Sequence, residues 1–152
     1  MSRATASCKV VADEGDVVTR YVCAGLGYDT AWLDEHFSIG FVLGGRLIGG
    51  LIYHNIRPGR DVWWTLYTTD KRWCTRRILN FMFGLAFEHF GCRRISMSAD
   101  VDNAACLKLA LRLGFKAEGV LRGFRDNGKD AVIMGILQQE YNMKGKTKCQ
   151  KA

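Results

Sequence analysis

Four cations crowd one short stretch of the chain: Lys71, Arg72, Arg76 and Arg77, set around Trp73-Cys74-Thr75. A cluster of this kind favours an anionic partner. The stretch lies where a Trp-, Tyr- and Thr-rich segment, 62–69, gives way to a helical pattern over 75–90. At such a strand-to-helix junction the first backbone N–H groups have no intrahelical acceptor and the helix dipole is positive, which suits a phosphate. Cations with nothing to bind are mildly unfavourable there, by roughly 0.3–1 kcal/mol. Thr75 can offer a hydroxyl and an amide, and Arg76 and Arg77 can offer charge-assisted bonds.

Proton-transfer candidates lie on the neighbouring strands. His54 has the ordinary pKa, about 6.5, of a base at neutral pH. Tyr53 precedes it, and only one of the two can face a given side of a strand. Tyr67 sits near the end of the 62–69 segment, and its hydroxyl could donate a proton. A backbone N–H near Tyr67 or Thr68 could hold an oxyanion. Ser96 and Ser98 share one face of a strand over 94–101 and could polarise a substrate. Trp63 and Trp64 must face opposite sides, either as core or as a flat platform for a base. Asn103 stands at a helix start, where an N-cap role suits it.

These groups need a scaffold, and 152 residues are enough for one domain with a sizeable core. Hydrophobic residues make up 48% and charged residues 24%, the ordinary globular range. Pro58 is the one proline, so a Pro-rich linker is excluded. No apolar run approaches the roughly 18 residues of a membrane span, and the first ten residues lack a signal-peptide order. The reading is a cytosolic protein. Six cysteines at irregular spacing, without a Cys-x-x-Cys pair, argue for reduced thiols and against zinc. The net charge of +7 is shared between the cluster above and a tail carrying Lys144, Lys146, Lys148 and Lys151. Residues 1–6 and 143–152 are read as flexible ends around a domain over 7–142.

Along the chain the pattern predicts a strand at 7–13, then a helix from an Asp16 cap to Gly25 or Gly27. Residues 28–37 are read as a short helix or an ordered loop. A hairpin turns at Gly44-Gly45, between Ile39–Leu43 and Arg46–Ile56. The strand 62–69 follows, then a helix over 75–90 with Thr75 as N-cap. Next come a strand at 94–101, a helix over 102–113 closed by Gly114, and strands 117–124 and 131–141 joined by a turn at Arg125-Asp126-Asn127-Gly128. The order predicts an α/β domain with a mixed central sheet of six to seven strands flanked by helices.

The run Asn103-Ala104-Ala105-Cys106-Leu107-Lys108-Leu109-Ala110-Leu111-Arg112-Leu113-Gly114-Phe115, followed by Glu118-Gly119-Val120-Leu121-Arg122, resembles the GNAT family, the Gcn5-related N-acetyltransferases. Their pattern there is Asn-x-x-Ala-x-x-Leu-Tyr-x-Lys-x-Gly-Phe, and the likeness covers about residues 7–141. The family's phosphate loop, Gln/Arg-x-x-Gly-x-Gly/Ala, falls on Arg72-Trp73-Cys74-Thr75-Arg76-Arg77. Arg72 matches it, while Thr75 and Arg77 replace both glycines. The run Trp73-Cys74-Thr75-Arg76 is similar to small members carried by bacteriophages and prophages. The resemblance implies acetyl-CoA as co-substrate and an amine as acceptor, by direct transfer in a ternary complex without a metal. It implies that Tyr67, Thr68, Arg72, Thr75, Arg76, Arg77 and Asn103 hold the cofactor, Asn103 lining the pantetheine channel. The family's usual acid, a tyrosine on the helix after Asn, is Ala110 here, and strand 62–69 has no carboxylate for the usual base. Tyr67 and His54 are therefore the catalytic candidates. Two other readings keep the fold: acyl transfer to a nucleic-acid base through the basic surface, and a non-catalytic binding or virion protein. The apolar final strand is consistent with a homodimer.

Overall fold

The computed structural model describes residues 6–141; the four lysines of the basic tail lie outside them. The elements run β1 (Lys9–Ala12), α1 (Val17–Leu26), β2 (His36–Leu43), β3 (Arg46–Arg57), β4 (Asp61–Thr68), α2 (Arg76–Gly84), β5 (Arg94–Asp100), α3 (Ala104–Leu113), β6 (Lys116–Leu121) and β7 (Ala131–Leu137). They form one seven-stranded sheet in the order β1-β2-β3-β4-β5-β7-β6. Every neighbouring pair is antiparallel except β4 and β5. The mixed sheet is the one that the element order predicts, and β7 inserts between β5 and β6.

Alternation along the strands assigns the two faces. Ile52, Thr65 and Tyr67 point toward α1, which buries Val18, Val22 and Cys23 against them. Leu51, Tyr53 and Trp64 point the other way, into the main core beneath Ile78, Met82 and Phe83 of α2. Close approach of α1 depends on glycine. A Cβ at Gly50 would lie 2.6 Å from a methyl of Val18, and one at Gly25 would lie 2.1 Å from Cε1 of Tyr67. Replacing glycine by alanine in a helix ordinarily gains up to about 1 kcal/mol. At Gly25 the sign reverses, because the added methyl drives Tyr67 off α1. Gly25→Ala is expected to lower stability by about 1–2 kcal/mol in urea denaturation. In a Tyr67→Ala background the same change is expected to be neutral or stabilising.

Local rules hold at several ends. Thr75 caps α2, its Oγ1 accepting from the Ile78 N–H at 3.2 Å. Gly114 closes α3 at φ 107°. Others are overridden. Asp16 sits in the left-handed region at φ 58° and makes no side-chain cap bond. Asp13 does the capping from further back, accepting from the N–H of Val18 at 2.8 Å and of Thr19 at 3.1 Å. The helix expected over 75–90 is α-helical only to Gly84; Leu85–His89 is a π-turn. Just before it, the buried Tyr53 hydroxyl of β3 donates to the Met82 carbonyl at 2.7 Å. The expected last strand stops at Leu137 because 138–141 turn helical, with Glu140 accepting from the Leu137 N–H. The Arg125–Gly128 turn forms, but at the tip of a longer loop, since pairing of β6 with β7 ends at Leu121↔Ala131. Among the described residues no helix is long and apolar enough to cross a membrane.

Candidate functional site

The parallel pairing of β4 with β5 is short. It runs Asp61↔Arg94, Val62↔Ile95, Trp63↔Ser96 and then stops, although β4 continues to Thr68 and β5 to Asp100. The strands part into a wedge with its apex at Trp63 and Ser96. Hydrogen-bond alternation shows what lines it. The Thr69 N–H donates to the Ile48 carbonyl, so with the regular β3–β4 register Tyr67, Thr65 and Trp63 bond to β3. The backbone groups of Trp64, Leu66 and Thr68 therefore face the wedge. On the other side the Gln138 N–H donates to Arg93 and the Val101 N–H to Asp130, which turns the backbone of Ser96, Ser98 and Asp100 inward. The wedge thus presents two rows of backbone donors and acceptors, a template for a ligand that carries amides of its own.

At its wide end the wedge meets the cationic loop. Arg76 and Arg77 open α2 as exposed residues, their amides having no acceptor within the helix. Arg77 also donates to the Cys8 carbonyl at 3.4 Å. Arg72 is already engaged. Its Nη2 donates to Asp70 at 2.6 Å, its Nε at 3.0 Å and its backbone N–H at 2.9 Å. These bonds from Arg72 hold the Asp70 carboxyl down to about 2. Trp73 occupies the core, stacked on Phe41 at 5.2 Å. Asn103 caps α3, its Oδ1 accepting from the Cys106 N–H at 3.1 Å.

The α1 face of the apex carries the polar chemistry. His54 lies opposite Trp63 on β3 and is only 7% exposed. Its Nε2 shares a 2.8 Å hydrogen bond with Thr65 Oγ1, and its Nδ1 is buried without a partner. Trp32 stands perpendicular to the imidazole at 4.9 Å between centroids. Burial, with a smaller contribution from His36, lowers the His54 pKa to about 4, so the ring is neutral at neutral pH. Tyr53 takes the opposite face, as strand alternation requires. Tyr67 shares the face of Thr65 but lays its ring against Gly25 and Tyr21 of α1. Trp64 is core, packed on Phe83 and Phe115, whereas Trp63 flanks His54.

Beyond the apex a loop side chain lies against β5. Arg125, from the loop between β6 and β7, donates to Asp100 Oδ1 at 2.6 Å and to Ser98 Oγ at 3.2 Å, and lies 5.7 Å from the Tyr28 ring centre. Burial raises the Tyr28 pKa, and the Arg125 charge opposes that rise. Nearby, loops at either end of α1 hold Glu14, Asp16, Asp29, Asp34 and Glu35, all exposed, in a chain of net charge +7. Among the described residues no group of His, Cys, Asp and Glu side chains is placed to share a metal ion.

No family model matches the chain, and no curated protein sequence does. Solved structures do. The spermidine/spermine N-acetyltransferase SpeG from Vibrio cholerae, crystallised with manganese ions, superposes with a TM-score of 0.71 over 91% of this chain and 96% of that one, at 19% identity. SpeG in complex with CoA and spermine gives 0.69 over 90% and 98%, at 17% identity. A probable acetyltransferase gives 0.60 over 70% and 64%, at 24% identity. The chain has the GNAT fold.

Within the GNAT fold the structure brings Thr68, Thr75, Arg76 and Arg77 toward the wide end of the wedge and places His54 at its apex. Arg72 is turned onto Asp70, and the amide oxygen of Asn103 is spent on its helix. Thr65, Trp32 and Arg125 are the residues that sequence reading misses. Thr65 could have been found only from the pairing of β3 with β4, Trp32 only from the way the loop after α1 lies on His54, and Arg125 only from the place where β5 meets the long loop.

Proposed function

We propose that this protein is an acetyl-CoA-dependent N-acetyltransferase acting on cationic amines. The wedge carries the reading. The pantetheine arm of CoA contains two amides, which can pair with the inward rows of β4 and β5 as an added strand would. The pyrophosphate then reaches the start of α2 and the charges of Arg76 and Arg77. The thioester lies at the apex, and the amine approaches from the α1 face, where exposed carboxylates raise the local concentration of cations. SpeG, of the same fold, binds CoA and spermine, which supports a polyamine-like acceptor. A cytoplasmic setting suits both substrates.

Calorimetric titration with acetyl-CoA tests the cofactor, beside Arg76→Ala. A panel of spermidine, a free-N-terminus peptide and a lysine peptide, read by mass spectrometry, tests the acceptor. Absence of binding at millimolar acetyl-CoA would sink the proposal. A phosphate arriving at the loop must also displace Asp70 from Arg72. Asp70→Asn keeps an oxygen for the Arg72 N–H but removes the competing charge. It is expected to tighten acetyl-CoA binding by about five-fold in the same titration.

A further inference from the structure

We propose that Thr65 receives the proton of the attacking amine and passes its own hydroxyl proton to Nε2 of His54, against which the Trp32 indole packs; this rests on the acetyltransferase reading above. Thr65 is the first residue past the last β4–β5 pair whose side chain lies on the α1 face. On the other face the apex is backed by buried Trp64 and Phe115, so a nucleophile must come from the side of Thr65. The 2.8 Å bond to His54 orients the hydroxyl.

The direction of that bond is set by the tautomer. The neutral ring carries one N–H, and a relay through Nε2 needs that proton on Nδ1, leaving Nε2 to accept from Thr65. Nδ1 is buried with no oxygen or nitrogen partner, and the Trp32 ring packs on the imidazole at 85° and 4.9 Å between centroids. The charged groups around the ring agree with an uncharged imidazole. His36 lies opposite on β2 and reaches Asp16 at 3.6 Å, and α1 places no carboxylate against His54 among the described residues.

In the step itself the amine, as the neutral free base after its ammonium proton has passed to solvent, attacks the thioester carbonyl carbon; the C–N bond forms and the C–S bond breaks. The nitrogen becomes acidic as it bonds to carbon, so even a weakly basic relay can take its proton. One N–H proton moves to Thr65 Oγ1 while the hydroxyl proton moves to His54 Nε2. The departing thiolate finally takes that proton back from His54 through the Thr65 hydroxyl, giving free CoA and the N-acetyl product and leaving the imidazole neutral. Thr65 is the catalytic residue, and His54 is the positioning residue behind it.

Long-range 1H–15N spectra of the full chain, with His54 assigned by substitution, read the tautomer directly. Protonation on Nδ1 at neutral pH is expected, with the Nε2 resonance moving in Thr65→Val; protonation on Nε2 overturns the relay. With whichever amine of the panel is acetylated, Thr65→Val is expected to lower kcat about 100-fold at unchanged acetyl-CoA affinity. Thr65→Ser should restore most of it. An unchanged kcat in Thr65→Val also overturns the relay. Calorimetry on the wild type separates this from failure of the cofactor reading, since acetyl-CoA binding does not pass through Thr65.

Discussion

Between pH 6.5 and pH 4 the protein is expected to lose about 3 kcal/mol of stability through one imidazole. His54 is 7% exposed, and its pKa is lowered to about 4, first by burial and then by the charge of His36. In the unfolded chain the same ring titrates near its ordinary value of about 6.5. Over that interval the unfolded state binds a proton that the folded state refuses, so unfolding becomes easier as pH falls. Above pH 6.5 both states are neutral there and the effect vanishes. Roughly two and a half units at about 1.36 kcal/mol each give the magnitude. Urea midpoints between pH 7 and pH 5 read most of it, because the carboxyls of Asp70, Asp102, Glu118 and Glu140, whose pKa values are lowered by their cationic partners or backbone donors, act only at lower pH. His54→Gln keeps a group able to bond Thr65 and cannot titrate, so its stability should be nearly flat over that window. An equal slope in His54→Gln would place the titrating group elsewhere.

The same burial that makes His54 costly to protonate bears on its chemistry. A histidine judged by its ordinary pKa is a free base at neutral pH. In the fold it is a neutral ring behind Thr65, able to take a proton only for the instant in which the amine nitrogen is acidic. The pair is therefore suited to a reaction whose proton is soon claimed by a better acceptor, the leaving thiolate.

Features that depend on near neighbours along the chain are legible in the sequence. The Thr75 cap, the Gly114 closure, the Gly44-Gly45 hairpin and the opposed faces of Tyr53 and His54 follow from local backbone rules. Features set by competing or distant partners are not. Asp13 outcompetes Asp16 because the chain turns through the left-handed region at Gly15-Asp16, leaving the earlier carboxylate nearer to the first amides. The π-turn falls in a stretch that reads as plain helix, and Arg72 is claimed by a carboxylate two residues away. The wedge is the clearest case. Residues 62–69 and 94–101 read as ordinary strands, and nothing in either says that their pairing ends at Trp63 and Ser96.

Trp64→Ala should be the most damaging single substitution, costing about 3–5 kcal/mol. Trp64 is 4% exposed and joins three elements, with ring centroids 4.9 Å from Phe83 of α2, 5.7 Å from Phe115 after α3 and 6.0 Å from Tyr53 of β3. No neighbour can fill the space left by an indole, because each of those rings is itself held by others. Trp64→Phe separates packing from polarity. The indole N–H is buried without an acceptor, so removing it sacrifices no hydrogen bond, and a phenyl ring keeps most of the contacts. Its cost should stay under about 1.5 kcal/mol in urea denaturation. Trp64 is also the first β4 residue past the apex, its side chain in the core and its backbone facing the wedge. Loss of the indole should therefore loosen the inward row of β4, and acetyl-CoA affinity should fall in Trp64→Ala while Trp64→Phe keeps it. Equal affinity in both variants would mean that the wedge is held open by the sheet alone, without the core behind it.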